Sequence, residues 1–516
     1  MGKKFVKWDI TNRCNLRCAH CSVGKLYFSG EVPELCLEEK FEVVDKLAGG
    51  GVDGISILGG EPLVLRNELL AVAGRAVDKG LQVSLVSNGT LLFGSAMRNL
   101  LDLGLHHIVV SLEGASKESH EAVRGKGTFD RVVKNTRQLV RYVRDKDLAT
   151  QVNINTVLNR NNQHELHEIL ELCLRLGVDE WTMLSLVGQG FAGDHLNGLE
   201  ITPEEEIEGA RKLAEWCTYA EGRNRLKVSP QVYPLVADYV EKVYGLKMPR
   251  PRICCNASIS LGFVSPDGNL YPCDRILTEG YSGAKIGDAV LETKSLLSNT
   301  FYDVWNSDPY VNMFDLILQE DTYANYVPCN HCKYLRNRHC NPCPLYSLDS
   351  RVVVDSCILA ERELGDISGG FDAEAAGFDT LELEAGSNGD GTDGEALFQR
   401  LSHGVPRKKS GIRTSVKGEG LVLLNPFTVK FIIFNLMGRA VWEAIDGRAT
   451  VSDIAHEIGD VAEALRERLG EGGGGEVRPL IEQRLGAFFG RLDHLEFIDI
   501  ADRSRQETVG TCGPIP

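Results

Sequence analysis

At 516 residues, with 43% apolar and 25% charged side chains, the chain has the composition of folded globular proteins and room for about three domains. A formal net charge of −16 excludes a broad nucleic-acid surface, because phosphate neutralisation needs clustered Lys and Arg. No apolar run reaches the roughly 20 residues of a membrane-spanning helix, and the start M-G-K-K-F-V-K-W-D lacks a secretion signal's apolar core. The expectation is therefore a cytoplasmic protein with no membrane or nucleic-acid partner, whose fifteen cysteines stay reduced and serve metal or redox chemistry.

Between Phe5 and about Leu186 the pattern alternates. Near-continuous β-branched and Leu runs predict strands at 5–10, 54–58, 81–86, 107–112, 151–158 and 181–186, and amphipathic stretches such as 37–48 and 128–143 predict the helices between them. Six βα units over residues 1–200 make a parallel α/β sheet, open or curled into a partial barrel, with ligands expected at the strands' C-terminal ends. The first strand runs into Cys14, Cys18 and Cys21. Gly59-Gly60-Glu61-Pro62 follows the second, and Ser111-Leu112-Glu113-Gly114 follows the fourth. Thr202-Pro203-Glu204-Glu205 caps a helix and opens a helical connector over 201–249.

Residues 250–365 change to Cys, Pro and Asn with short strands, a region poor in core. The Gly-rich acidic segment 366–410 predicts a mobile linker whose span is roughly 35 Å. A small α+β module follows over 411–500. Residues 421–424 and 428–434 predict a hairpin, Val441 and Ile445 mark a helix stopped by Gly447, and Thr450 caps a second helix. Val477, Ile481, Leu485, Phe488 and Leu492 mark a third, and 501–516 is a tail.

Three thiols at such spacing, with His20 among them, suit either zinc or an iron–sulfur cubane. Eight more (Cys254, Cys255, Cys273, Cys329, Cys332, Cys340, Cys343 and Cys357) suit two cubanes or two zinc knuckles. Cys36, Cys173 and Cys217 fall in helical patterns as ordinary thiols, and Cys512 lies in the tail.

The ordered set C-N-L-R-C-A-H-C, G-G-E-P, S-L-E-G and V-R-G (123–125) resembles the radical S-adenosylmethionine superfamily. That resemblance implies a partial (β/α)6 barrel in which Cys14, Cys18 and Cys21 hold three irons of a 4Fe–4S cluster and S-adenosylmethionine takes the fourth. Gly59, Gly60, Glu61 and Pro62 would bind its amino group, and Ser111 and Arg124 its ribose or carboxylate. The segment from Cys255 to Cys273, then C-N-H-C-K-Y-L-R-N-R-H-C-N-P-C and Cys357, resembles the SPASM extension, although two spacings in the four-cysteine run depart from the family's.

By position Cys329, Cys332, Cys340 and Cys357 would hold an outer auxiliary cluster. Cys255, Cys273 and Cys343 would hold an inner one, with Cys254 or an open iron completing it, which makes three clusters in all. Asp274 matches the proposed base of sulfatase-maturing relatives. Residues 412–500 resemble a winged-helix-like PqqD-like domain, which implies that the leader of a ribosomal precursor peptide adds a strand to its sheet; Arg407, Lys408, Lys409 and Arg413 keep a winged-helix DNA binder as the alternative. The implied function is oxidative modification of that peptide's side chains, fed by a low-potential donor such as flavodoxin or ferredoxin. Sulfatase-type maturation and a non-catalytic electron-transfer scaffold are the rivals.

Overall fold

The computed structural model describes residues 3–219, 225–249, 255–278, 285–286, 289–290, 294–318, 320–337, 339–340, 342–345, 352–368, 379–381, 394–409, 411–417, 420–425, 430–434, 436–459 and 477–502. Cys254, the tail beyond 502 and the glycine insertion at 470–475 lie outside them. The chain divides into two compact units, Lys3–Asp372 and a second from Ala373 onward.

The first unit is built on a ten-stranded sheet. Strands β1 (Phe5–Thr11), β2 (Gly54–Gly59), β3 (Gln82–Ser87), β4 (His107–Ser111), β5 (Gln151–Val157) and β6 (Glu180–Leu184) lie side by side in chain order, all parallel. Helices α1 (Gly24–Ser29), α2 (Leu37–Gly49), α3 (Arg66–Asp78), α4 (Gly94–Asp102), α5 (Lys117–Arg124), α6 (Phe129–Asp145) and α7 (Leu166–Leu176) connect them. Val6, Trp8 and Ile10 of β1 are fully buried, as a central parallel strand requires. In α6, Val132, Leu139, Val140 and Val143 face the core at helical spacing.

The predicted connector holds more than helices. Lys227–Pro230 forms a seventh parallel strand, β7, beside β6 at the sheet's edge. Four residues ending in proline give no periodic signal, and proline is tolerated there because an edge strand has a side without partners. On the opposite flank β8 (Leu261–Val264) pairs parallel with β1, and β9 (Asn269–Tyr271) returns antiparallel to β8. The cysteine-rich region thus extends the same sheet.

In the second unit, strands Arg413–Lys417, Gly420–Asn425 and Lys430–Phe434 form an antiparallel run, and Asp379–Leu381 pairs parallel with Lys430–Phe434 at its edge. The predicted hairpin is present, with a further strand before it. Thr450 and Asp453 cap the next helix reciprocally: the Thr450 hydroxyl accepts from the Asp453 N–H, and the Asp453 carboxylate accepts from the Thr450 N–H. Leu485, Phe488 and Leu492 of the helix Val477–His494 enter the core.

Part of the predicted linker is ordered. Gly394–Leu401 is a helix with Phe398 buried, and Gly404–Lys408 pairs with Ile498–Asp502. Gly490 permits the close approach of this helix, since a Cβ there would collide with Leu397. The adjacent glycine run hides this short amphipathic pattern in the composition.

Candidate active site and cysteine groups

The first cysteine loop begins where β1 ends and is clamped to the segment after β2. The Gly60 N–H donates to the Thr11 carbonyl and the Glu61 N–H to the Arg13 carbonyl, both at 2.8 Å. A Cβ at Gly59 would strike the Thr11 carbonyl, and one at Gly60 the Arg13 carbonyl. Both glycines thus serve contact between two stretches of the chain's own backbone, and Gly59 also has φ +128°. Glu61 is fully buried. Its carboxylate accepts from the Leu63 N–H (3.1 Å), the Ser87 hydroxyl (2.9 Å) and the Asn88 N–H (2.7 Å), locking the loop to the end of β3. Pro62 opens a short buried turn, Pro62–Leu65.

On the other side of the loop, the Ala19 N–H donates to the Val123 carbonyl (2.8 Å), which brings α5 against the cysteines. Arg124, at the end of α5, donates twice to Glu113 (3.1 and 2.6 Å) and lies 3.9 Å from the Cys18 sulfur. Glu113 is only 1% exposed; its second oxygen accepts from the Val157 N–H at 2.7 Å. Burial works against the Glu113 charge, yet Arg124 holds it below the usual carboxylate range. His20 lies 3.6 Å from Glu113, and burial pushes its pKa down to about 4, so the imidazole is neutral. Ser111 sits half-buried at the end of β4, opposite Asn155. Sequence reading singled out Ser111 and Arg124 and passed over Glu113, the carboxylate that aims Arg124.

The thiols' surroundings fit a cationic inorganic group. Burial pushes Cys14 up to about 11 and Cys21 up to about 12, so each needs a positive partner to become a thiolate. The Leu16 N–H points at the Cys14 sulfur at 3.4 Å, and all three cysteines are free thiols. Among the described residues no three His, Cys, Asp or Glu side chains converge on a single metal ion; cubane thiols, each bound to a different iron, need not converge in that way.

Each set of the second field has its own surroundings. Cys329, Cys332, Cys340 and Cys357 line one apolar pocket together with Tyr233, Pro234 and Leu335. Their mutual repulsion adds to burial in raising Cys357 far above its ordinary value. Of the other set, Cys273 is held high by burial and by the charges of Asp274 and Cys255. Cys343 is raised by burial and partly offset by Arg275.

Asp274 follows Cys273 at the start of a short helix, Asp274–Thr278. It accepts from the Cys273 thiol (3.3 Å) and pairs with Lys7 of β1 at 3.5 Å. Burial opposes its charge, but Lys7 and the thiol keep it below the usual carboxylate range. One residue along the same face of β1, Asp9 accepts from the Tyr27 hydroxyl, and burial lifts its pKa to about 7. Asp9 and Tyr27 carried no sequence signal beyond an ordinary strand and helix.

Comparison with known proteins agrees with this arrangement. Residues 8–173 match the Radical SAM superfamily, and residues 254–333 match SPASM, an iron–sulfur cluster-binding domain. One part of the chain thus matches a Radical SAM domain, and a later part matches a SPASM domain.

Among particular proteins, it is 24% identical over 338 residues to the AdoMet-dependent heme synthase of Nitratidesulfovibrio vulgaris, covering 64% of this chain and 85% of that one. It is 27% identical over 329 residues to the PqqA peptide cyclase of Bradyrhizobium diazoefficiens, covering 63% and 77%. Its fold is similar to that of Streptococcus suis SuiB bound to S-adenosylmethionine, with a TM-score of 0.52, 17% identity, and coverage of 69% of this chain and 77% of that one. Among the described residues no helix is long and apolar enough to cross a membrane.

Proposed function

We propose that the protein modifies side chains of a ribosomally made precursor peptide by radical chemistry, with the leader held by the second unit acting as a PqqD-like domain. S-adenosylmethionine on a reduced cluster would supply a 5′-deoxyadenosyl radical able to take hydrogen from unactivated carbon. Cys14, Cys18 and Cys21 would hold that cluster. Gly59, Gly60, Glu61 and Pro62 would shape the segment that meets the cofactor's amino group, Glu61 by fixing its backbone, with Ser111 and Arg124 at the ribose or carboxylate. Cys329, Cys332, Cys340 and Cys357 would hold an outer cluster, and Cys255, Cys273 and Cys343 an inner one, with Cys254 or an open iron completing it. Asp274, kept ionised beside Lys7, would accept a proton as the substrate is oxidised.

The observation that carries this reading is the junction of β1 with β8: one hydrogen-bonded sheet carries both the three-thiol loop and the Asp274-bearing cysteine field. The match to PqqA peptide cyclases supports a peptide as substrate. A leader strand adding to the sheet of the second unit would bring its core segment to the first at an effective concentration near millimolar. The test is anaerobic incubation with reductant, S-adenosylmethionine and a candidate precursor peptide, followed by mass spectrometry. Loss of hydrogen from the peptide together with 5′-deoxyadenosine release is expected. The match to heme synthases favours a second reading, a non-peptide substrate, and an unchanged peptide mass with continued 5′-deoxyadenosine release would select it.

A further inference from the structure

The first unit carries a surface feature that this chemistry does not use. Between α4 and α6 runs an open groove of about 800 Å³ lined by Arg98, Arg131, Lys134 and Arg141, with Asp145 as its acidic member. Four cations against one carboxylate stand out on a chain whose net charge is −16. Arg131, Lys134 and Arg141 follow one another at helical spacing on the outer face of α6, opposite the buried Val132 and Leu139. Arg141 pairs with Asp145 at 3.3 Å; Arg98, Arg131 and Lys134 are exposed and form no ion pair among the described residues.

The groove's floor connects to the first cysteine loop. Asn135 of α6 donates to the Gly89 and Thr90 carbonyls (2.8 and 3.3 Å). Thr90, which lines the groove, accepts through its hydroxyl from the Asn15 side-chain amide at 2.9 Å, and the Asn88 side-chain amide donates to Asn15 Oδ1 at 2.9 Å. Asn15 is the neighbour of Cys14. A short path of hydrogen bonds therefore runs from the cationic groove to the thiol loop.

We propose that this groove docks an acidic, low-potential electron-carrier protein, which delivers to the group held by Cys14, Cys18 and Cys21 the single electron that each turnover needs. The inference rests on the reading of that loop as a cluster site. The carrier is oxidised by one electron and the cluster reduced by one, with no bond made. A shallow charged surface suits such a partner, because redox encounters bury little area and depend on opposite charge for their on-rate. A nucleic acid would need more than one cationic stripe on so acidic a chain, and the substrate's proposed proton acceptor, Asp274, lies on the β1–β8 flank.

The test compares the wild type with an Arg131→Glu/Lys134→Glu double variant, using reduced flavodoxin as the probe and dithionite in parallel. At low salt the variant should bind flavodoxin at least about tenfold more weakly, and flavodoxin-driven 5′-deoxyadenosine release should fall accordingly. Dithionite-driven release should be unchanged, which also shows that the variant is folded. The difference in binding should shrink as salt shortens the Debye length below about 8 Å. Unchanged flavodoxin affinity in the variant overturns the proposal, as does loss of precursor-peptide or oligonucleotide binding with flavodoxin binding intact. A wild type that releases no 5′-deoxyadenosine even with dithionite sinks the cluster reading itself, and this one with it.

Discussion

The three-thiol loop and the four-thiol pocket both gather cysteines, the second with Cys357 on the helix Asp355–Leu364, yet they differ in their surroundings. Of the first set only Cys18 is buried, and a charged pair, Arg124 with Glu113, stands beside it. Of the second, Cys332, Cys340 and Cys357 are all buried, among Tyr, Pro and Leu. A cluster that must accept a ligand needs an accessible side and polar neighbours to orient that ligand. One that only stores or passes electrons is better sealed, because solvent exposure and hydrogen bonding set its potential.

That contrast can be broken most severely at the first loop. Replacing Cys14, Cys18 and Cys21 together by Ala should abolish 5′-deoxyadenosine release and remove about four irons per chain, leaving the iron of the second field in place. Cys357→Ala should instead spare much of the release while abolishing modified peptide, measured by separate assays for the two products. Arg124→Met leaves Glu113 buried without its partner and should cost about 3–5 kcal/mol of stability in urea unfolding. Adding Glu113→Gln should return part of that loss, the sign of direct coupling. Gly60→Ala, which forces a Cβ against the Arg13 carbonyl, should cost about 1–3 kcal/mol and weaken S-adenosylmethionine binding, read by calorimetry.

A further effect concerns pH. The Asp9 carboxyl is raised to about 7 in the fold, above its unfolded value of about 3.9. Its contribution to stability is therefore complete below that unfolded value and is lost as pH rises through about 7. Asp9→Asn should flatten the decline of the thermal midpoint across that rise.

Much of the first unit was legible because parallel strands buried on both faces leave long apolar runs. The predicted strand at 54–58 is Gly54–Gly59, and that at 107–112 is His107–Ser111. The strand Lys227–Pro230 was not legible, being short and placed at an edge where burial imposes little pattern. The resemblance to SPASM grouped Cys329, Cys332, Cys340 and Cys357, and these four line one pocket although Cys357 lies well along the chain from Cys340. What spacing could not supply was Glu113, since its pairing with Arg124 depends on how α5 folds back over the end of β4. Nor could it show that Glu61 spends its oxygens on the chain's own donors.

The seam between β1 and β8 also bears on how the protein can be dissected. Phe5, Val6, Lys7 and Trp8 face Leu261, Gly262, Phe263 and Val264 in register. Cutting the chain before this partner strand would leave a ladder of unmatched amide groups beside Val6 and Trp8, side chains that no water reaches in the intact fold. Such a fragment would be sticky rather than minimal, inviting a second copy to pair along the bared strand.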